Sequence, residues 1–266
     1  MIPLPHVVDT GSGRPVVFLH GWAVNADFFA PQHVLAASGL RVIAPDLPGH
    51  GRNQSPGVPL SIADLSHAFT GLLAARALER ALVVGWSMGA MVALDHIARA
   101  GTARIAGLVM VDMTAKVAND SGWALGLSGG AGADDMIRAA ARMETGWAKY
   151  AERITALMFA ADRPADDPIR RRAALAVAAN DGVTMASLWR ALALADHRET
   201  IKALDIPVLA IGGAASQLYS RDVPAWIAAN ARRGRAAMIA GAGHAPQLEA
   251  PEAFNAAIAD FARALD

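Results

Sequence analysis

Short, continuous apolar runs recur along this chain of 266 residues. The six runs occupy residues 15–20, 41–46, 81–85, 105–112, 206–212 and 235–240. Continuous runs of this kind are typical of parallel strands that are buried on both faces. Helical patterns, such as those over 61–78 and 91–100, separate them. The alternation therefore predicts an α/β fold with a mostly parallel central sheet flanked by helices.

The strand pattern stops at about residue 114 and resumes only after residue 200. The intervening stretch is rich in Ala, Arg, Met and Trp and has helical periodicity. Because strands follow it, we expect a helical lid (cap) over 114–200 inserted into one core built from 1–113 and 201–266. Ligands bind beyond the carboxyl ends of parallel strands, where such an insertion lies. The alternative is a helical subdomain that has no part in binding.

Composition excludes several classes of function. The chain carries 24 basic and 24 acidic side chains, so nothing favours nucleic acid or an acidic membrane as partner. Cysteine is absent, which excludes disulfides, thiol nucleophiles and Cys-ligated metals. The first residues lack the apolar stretch of a signal peptide, and no apolar run reaches the roughly 18 residues of a membrane span. We therefore expect a cytoplasmic protein with no nucleic-acid or membrane partner.

A Gly-x-Ser-x-Gly pattern occupies residues 85–89, between a predicted strand and a predicted helix. In a sharp strand-to-helix turn, glycines on either side let the two backbones pass without Cβ clashes. Such a turn exposes the Ser87 hydroxyl above the sheet at a helix N-terminus, whose partial positive charge favours developing anions. This context predicts a nucleophile elbow with Ser87 as the nucleophile. An ordinary tight turn is the structural alternative.

With this turn, the chain resembles the α/β-hydrolase superfamily over essentially its whole length. Three further segments match: Leu-His-Gly-Trp at 19–22, Asp-Leu-Pro-Gly-His-Gly at 46–51 and Gly-His at 243–244. The segments at 20–25, 85–89 and 244–246 look most like the carboxylesterases that cleave pimeloyl-carrier-protein methyl ester in biotin synthesis. The resemblance implies the α/β-hydrolase fold and hydrolytic chemistry.

A serine hydroxyl needs a general base, usually histidine, within hydrogen-bond reach. His244 lies in a glycine-rich loop after the last predicted strand, which is the position of the catalytic histidine in this superfamily. An oxyanion hole needs two converging N–H donors. The residue after the nucleophile, Met88, supplies one, and the resemblance implies Trp22 for the other.

Other residues are weaker candidates for the substrate pocket. The resemblance implies a structural or pocket-shaping role for His20, and the candidate pocket residues are His20, Trp86, Trp123 and Ser216. Apolar side chains of 114–200 line either an acyl pocket or the core of the insertion. They are Trp123, Trp147, Trp189, Met136, Met143, Met158 and Met185.

The acid of the expected catalytic triad departs from the usual pattern. Most members of the superfamily place an Asp shortly after the strand predicted here at 206–212, and the matching position holds Ser216. Asp222 is the nearest carboxylate on that loop, but its place at a predicted helix start suits a helix-capping role better than that of the acid. Haloalkane dehalogenases and cofactor-free dioxygenases carry the acid at the end of the strand after the nucleophile helix, where this chain has Asp112. We therefore predict Asp112 as the orienting acid, with the Ser216–Asp222 loop as the alternative.

These residues predict a serine hydrolase that cleaves a carboxylic ester through Ser87, His244 and Asp112 by way of an acyl-enzyme. It needs no cofactor and no metal. The expected partner is a small-molecule ester, and the resemblance also allows an acyl group bound to a carrier protein.

Two other functions stay open at this point. The first is a cofactor-free dioxygenase or C–C hydrolase on the same fold, in which a His–Asp dyad deprotonates the substrate. The second is a non-catalytic ligand receptor on a hydrolase scaffold.

Overall fold

The computed structural model describes residue 4, residues 6–54 and residues 56–265. Within these residues seven strands form one sheet. The strands are β1 (Val7–Gly11), β2 (Arg14–Leu19), β3 (Leu40–Pro45), β4 (Ala81–Trp86), β5 (Ile105–Val111), β6 (Val208–Gly213) and β7 (Gly234–Ile239). Their spatial order is β1-β3-β2-β4-β5-β6-β7.

Each strand pair is parallel except β1 with β3, which is antiparallel. The predicted mostly parallel sheet is confirmed, and each of the six apolar runs coincides with one of β2 to β7 to within two residues. β1 has no counterpart among those runs. It pairs on one side only and is at most half-buried, so its sequence, Val-Val-Asp-Thr-Gly, is mixed rather than continuously apolar.

The parallel order brings the carboxyl ends of the central strands to one edge of the sheet. β4 lies between β2 and β5, and all six of its residues are buried. Leu19 pairs with Gly85, and Trp86 pairs with Val111. The loops that follow β2, β4, β5 and β6 therefore start side by side at this edge, where ligands of parallel α/β sheets bind.

Nine α-helices connect the strands in the described part of the chain. They are α1 (Ile62–Ala75), α2 (Met88–Ala100), α3 (Ala133–Met158), α4 (Pro168–Ala178), α5 (Gly182–Leu194), α6 (Arg198–Ala203), α7 (Asp222–Asn230), α8 (Pro246–Glu249) and α9 (Pro251–Arg263). Two 3₁₀ segments, Ala26–Ser38 and Gly51–Asn53, also occur. Among the described residues, no helix combines the length and the apolar character needed to cross a bilayer.

Helices α3, α4 and α5 form a helical insertion between β5 and β6. α3 packs against both α4 and α5 and departs from helical geometry at Gly146. The predicted interval 114–200 contains these three helices and the first residues of α6. The division into a core and a lid over this interval stays a prediction.

Candidate active site

Ser87 lies in a strained turn between β4 and α2. Its backbone has φ +51° and ψ −122°, a region that residues other than glycine rarely adopt. The flanking glycines are required by close approach. A Cβ on Gly85 would lie 2.5 Å from the Ala90 Cα, and a Cβ on Gly89 would lie 2.0 Å from the Leu19 carbonyl oxygen. The sequence pattern thus folds into the predicted strand–turn–helix.

The turn places Ser87 at the N-terminus of α2, with its N–H donating to the Val111 carbonyl at 3.0 Å. Two nearby amides are available as donors. In the described chain, neither the Trp22 N–H nor the Met88 N–H is taken up by a hydrogen-bond acceptor. An unpaired helix N-terminal amide is a favourable partner for an anion.

His244 forms a buried pair with Asp112. Its Nδ1 lies 2.7 Å from the Asp112 Oδ2, and the two residues are only 5% and 4% exposed. The loop that carries His244 follows β7, and its carbonyl accepts the Trp86 indole N–H at 2.7 Å. The imidazole packs against the rings of Trp86 and Tyr219. These contacts hold the ring in one orientation.

Asp112 directly follows β5 and has φ +42°. Its Oδ1 accepts the Gly213 N–H at 3.0 Å, while its Oδ2 accepts the Ser216 hydroxyl at 2.6 Å as well as facing His244. Gly213 ends β6, the strand beside β5. The buried carboxylate is therefore surrounded by hydrogen-bond donors, which fix its position beside His244.

Ser216 contacts Asp112 and not the histidine itself. Its hydroxyl oxygen also lies within reach of the amides of Leu218 and Tyr219, at 3.3 and 3.4 Å. Asp222 is in the first turn of α7, where its carboxylate accepts the Ser220 hydroxyl at 3.1 Å. The structure thus brings Ser216, Asp112 and His244 together and places Asp222 apart from them.

Ser87 and His244 line a common cavity of about 270 Å³. The helical insertion contributes much of the wall, mainly through α3. Apolar side chains dominate the lining, among them Trp22, Trp86, Met113, Met136, Met143, Ile154, Leu157, Met158, Trp189 and Leu192. Charged lining residues are Asp135 and Arg153. A concave, mostly apolar site with a few polar groups is the usual form of a small-molecule pocket.

Trp22 joins the sheet edge to the insertion. Its indole N–H donates to the Met185 carbonyl at 3.0 Å, and its ring packs on Trp147 and Trp189 with centroids 5.5 and 4.8 Å apart. The residue is 7% exposed and lines the cavity. Any movement of the insertion would therefore change the surroundings of the Trp22 side chain.

The four candidate pocket residues separate into two groups. Trp86 lines the cavity, whereas His20, Ser216 and Trp123 do not. The Trp123 indole donates to the Lys116 carbonyl and packs on Trp226. Among the other apolar side chains considered, Met136, Met143, Met158 and Trp189 line the cavity, whereas Trp147 and Met185 belong to the packing around Trp22.

His20 is buried beneath the site and packs edge-on against His50, with ring centroids 5.1 Å apart. Its Nε2 accepts the Leu47 amide at 2.9 Å. Burial lowers the pKa of His20 to about 4 and that of His50 to about 3. Both rings are therefore neutral near pH 7 and serve to brace the loops after β2 and β3.

Tyr219 is a cavity residue for which the sequence carries no signal. Its hydroxyl donates to the Met113 sulfur at 3.2 Å, and its ring packs beside His244. Burial raises the pKa of the Tyr219 hydroxyl, which therefore stays protonated. The described residues contain no group of three or more His, Asp and Glu side chains suited to holding a metal ion.

A sequence model of the Alpha/beta hydrolase family matches residues 16–257. The pimeloyl-[acyl-carrier protein] methyl ester esterase of Edwardsiella ictaluri is 32% identical over 261 residues, which cover 97% of this chain and 96% of that protein. The AB hydrolase superfamily protein YisY of Bacillus subtilis is 26% identical over 272 residues, covering 96% of this chain and 94% of YisY.

Solved structures share the fold. An esterase from Exiguobacterium antarcticum superposes with a TM-score of 0.88 at 20% identity, over 97% of this chain and 95% of that one. An enol-lactonase from Burkholderia xenovorans superposes with a TM-score of 0.85 at 21% identity, over 97% of this chain and 96% of that one. With a family match over 16–257 and a 32% identical relative along nearly its full length, this chain belongs to the alpha/beta hydrolase family.

Proposed function

We propose that this alpha/beta hydrolase is a serine carboxylic ester hydrolase. One observation carries the proposal: Ser87 and His244 line one cavity, and the Nδ1 of His244 lies 2.7 Å from the buried carboxylate of Asp112. This is the set of groups that activates a serine hydroxyl. The Edwardsiella relative is itself named as an esterase, which agrees with this proposal.

In the proposed reaction, the Ser87 Oγ attacks the ester carbonyl carbon while the His244 Nε2 takes the hydroxyl proton. Asp112 accepts the Nδ1–H of His244, which fixes the tautomer and stabilises the imidazolium. The amides of Met88 and Trp22 donate to the oxyanion. His244 returns the proton to the departing alcohol, leaving an acyl-enzyme. Water, deprotonated by His244, then attacks this intermediate, releasing the carboxylic acid and restoring the Ser87 hydroxyl.

The cavity indicates the size and polarity of the substrate. An apolar cavity of about 150 Å³ holds a benzene molecule, so the 270 Å³ beside Ser87 has room for a medium-length acyl chain or a substituted ring. The lining is largely apolar, with Asp135 and Arg153 as its charged members. The proposed substrate is an ester with an apolar group next to the carbonyl, and the helical insertion acts as the lid over that group.

A carrier-bound acyl ester is one form that such a substrate could take. The Edwardsiella relative is named for the methyl ester of a pimeloyl group on acyl-carrier protein. A chain of that kind would place its ester at Ser87 and its apolar methylenes along the cavity.

The direct test is a series of p-nitrophenyl esters from acetate to dodecanoate, assayed with wild type and Ser87→Ala. We expect kcat/KM to rise from acetate to a medium chain and then to fall as the chain outgrows the cavity. Ser87→Ala should remove this activity. Absence of hydrolysis by wild type on every ester, with the protein folded, contradicts the proposal.

A second candidate is proton abstraction by the His244–Asp112 dyad alone, and the position of Asp112 at the end of β5 favours it. In that chemistry Ser87 is not the nucleophile. Turnover of an acidic N-heteroaromatic substrate with oxygen uptake, at a rate that survives Ser87→Ala, would support this candidate over the esterase.

A further inference from the structure

Another buried carboxylate that the proposed chemistry does not use lies five residues after His244. Glu249 ends α8, and its side chain is 1% exposed. Burial raises the pKa of its carboxyl above the ordinary value. A carboxylate at such a place costs stability unless donors surround it. Its partners therefore show what it holds in place.

Three backbone amides donate to Glu249. Its Oε2 accepts the N–H of Gly243 at 2.8 Å and that of Ala245 at 3.3 Å, the two residues that flank His244. Its Oε1 accepts the N–H of Ala160 at 2.8 Å. Ala160 lies two residues beyond the C-terminal end of α3. One carboxylate thus joins the histidine loop to the end of the helical insertion.

The two segments touch without any side chain between them. A Cβ on Gly243 would lie 2.3 Å from the Ala160 nitrogen and 2.4 Å from the Phe159 carbonyl carbon. Phe159 is completely buried. The contact therefore leaves the histidine loop little freedom as long as Glu249 holds both sides.

The loop that carries Ser216 reaches the same segment. The side-chain amide of Gln217 donates to the carbonyls of Phe159, at 2.8 Å, and Ala156, at 3.2 Å. Arg163 places its Nε 3.7 Å from the Glu249 Oε1 and also bonds Asp167. The end of α3 is therefore fixed to the histidine loop on one side and to the loop beside Asp112 on the other.

We propose that Glu249 is a positioning residue for His244, holding the imidazole in place in the cavity that it shares with Ser87 by fixing the loop 243–245 to the end of α3. The proposal rests on the function proposed above for His244. Glu249 touches neither the cavity nor the reacting atoms. A misplacement of about 1 Å in a catalytic group can reduce a rate roughly 100-fold, so the role is measurable.

The test is Glu249→Gln, assayed for ester hydrolysis and for covalent labelling of Ser87 by a p-nitrophenyl phosphonate. Glutamine has the size of glutamate, but its NH₂ must face at least one of the three donors, so part of the bonding is lost. We expect kcat and the labelling rate to fall about 10- to 100-fold, with KM within about twofold because Glu249 itself does not line the cavity.

Asp181→Ala is the matched control. Asp181 also accepts two backbone amides, those of Gly57 and Thr184, each at 2.9 Å, but at the start of α5 and outside the cavity. We expect this variant to lower the melting temperature and to keep wild-type kcat. A loss of stability alone would then affect both variants, whereas misplacement of His244 affects only Glu249→Gln.

A kcat and labelling rate within twofold of wild type in folded Glu249→Gln would overturn the proposal. So would equal losses of kcat in the two variants. If Glu249→Gln does not fold, Glu249→Asp, which withdraws the carboxylate by one methylene, is judged by the same criteria. Failure of wild type itself to hydrolyse esters or to be labelled at Ser87 contradicts the proposed function instead.

Discussion

At the scale of single residues, the site is organised around Asp112. Its carboxylate faces His244 and accepts bonds from Ser216 and from the Gly213 amide. Asp112 at the end of its strand and Ser216 in the loop were both candidates from the sequence. Each matches a position at which α/β-hydrolases carry the acid of the catalytic triad. Their direct bond could not be predicted, since it depends on the orientation of side chains from two neighbouring strand ends.

We predict that Asp112→Asn lowers kcat about 10³- to 10⁴-fold. The neutral amide cannot stabilise the charge of the His244 imidazolium, and its NH₂ group favours the wrong tautomer of the ring. Ser216→Ala removes one neutral donor to the carboxylate, worth about 1 kcal/mol or about fivefold in rate. Steady-state kinetics of the two variants, with circular dichroism to confirm folding, measure both effects. A larger loss in Ser216→Ala than in Asp112→Asn would show that the acid is assigned to the wrong residue.

The paired histidines predict a stability that depends on pH. Because the folded-state pKa values of His20 and His50, about 4 and about 3, lie below the ordinary value of 6.5, the unfolded chain binds protons first as the pH falls. The contribution of the two neutral histidines to the free energy of unfolding is fully present above pH 6.5 and is lost as the pH falls towards 4. At pH 5 the loss is about 2 kcal/mol per histidine. The nearby Asp46 carboxylate partly offsets the lowering of the His50 pKa by burial.

His50→Asn tests this contribution, since asparagine can keep the bond that Nδ1 makes with the Pro48 carbonyl and does not titrate. Urea unfolding at pH 7.5 and pH 5.0 should show a decrease in unfolding free energy that is about 2 kcal/mol smaller in the variant. An equal decrease in both proteins contradicts a neutral, buried His50.

At the scale of elements, strands β2 to β7 were predictable from the sequence, whereas the edge strand β1 was not. The six buried strands carry continuous apolar runs because parallel strands are covered on both faces. β1 lacks a continuous apolar run because it is a partly exposed edge strand, which is not covered on both faces. Tyr219 likewise carries no sequence signal. Its place beside His244 results from the path of the loop after β6, which local sequence does not determine.

The turn between β4 and α2 gives a prediction at this scale. Gly89→Ala should lower the unfolding free energy by about 2 kcal/mol or more, because the new Cβ meets the Leu19 carbonyl at 2.0 Å and backbone cannot move away cheaply. Gly146→Ala in α3 is the control. Apart from its chain neighbours and the backbone of its own helix, no atom lies within 4 Å of its Cβ position, and its φ is −123°.

We expect the control to change stability by less than about 1 kcal/mol. Urea titrations followed by circular dichroism compare the two variants. Equal stability of Gly89→Ala and wild type would mean that the strand–turn–helix packing is looser than the close approach of Gly89 and Leu19 requires.

At the scale of the whole molecule, the sheet supplies Ser87, His244 and Asp112, and the helical insertion supplies much of the cavity wall. In the proposed function, the chemistry and the selectivity therefore belong to different parts of the chain. The sequence predicted an insertion at this place, but which of its side chains face the cavity depends on how α3 packs against α5 and the sheet edge.

We predict that Ile154→Trp shortens the preferred acyl chain by several carbons. Ile154 is half-buried on α3 and lines the cavity, so a larger side chain reduces the space beside Ser87. Ile137→Trp is the matched control, because Ile137 is also half-buried on α3 but lies outside the lining. The ratio of kcat/KM for octanoate and butyrate p-nitrophenyl esters should fall only in Ile154→Trp. An equal change in both variants would contradict the assignment of the cavity to the acyl group.

The central claim is that Ser87 forms an acyl-enzyme during ester hydrolysis. It is tested most directly by the intact mass of the protein, quenched in acid within milliseconds of mixing with p-nitrophenyl butyrate. We predict a species heavier by one butyryl group, located on Ser87 by peptide mapping, formed as p-nitrophenol is released, and missing in Ser87→Ala. Hydrolysis that continues in Ser87→Ala, or an acyl group found on another residue, would contradict the account.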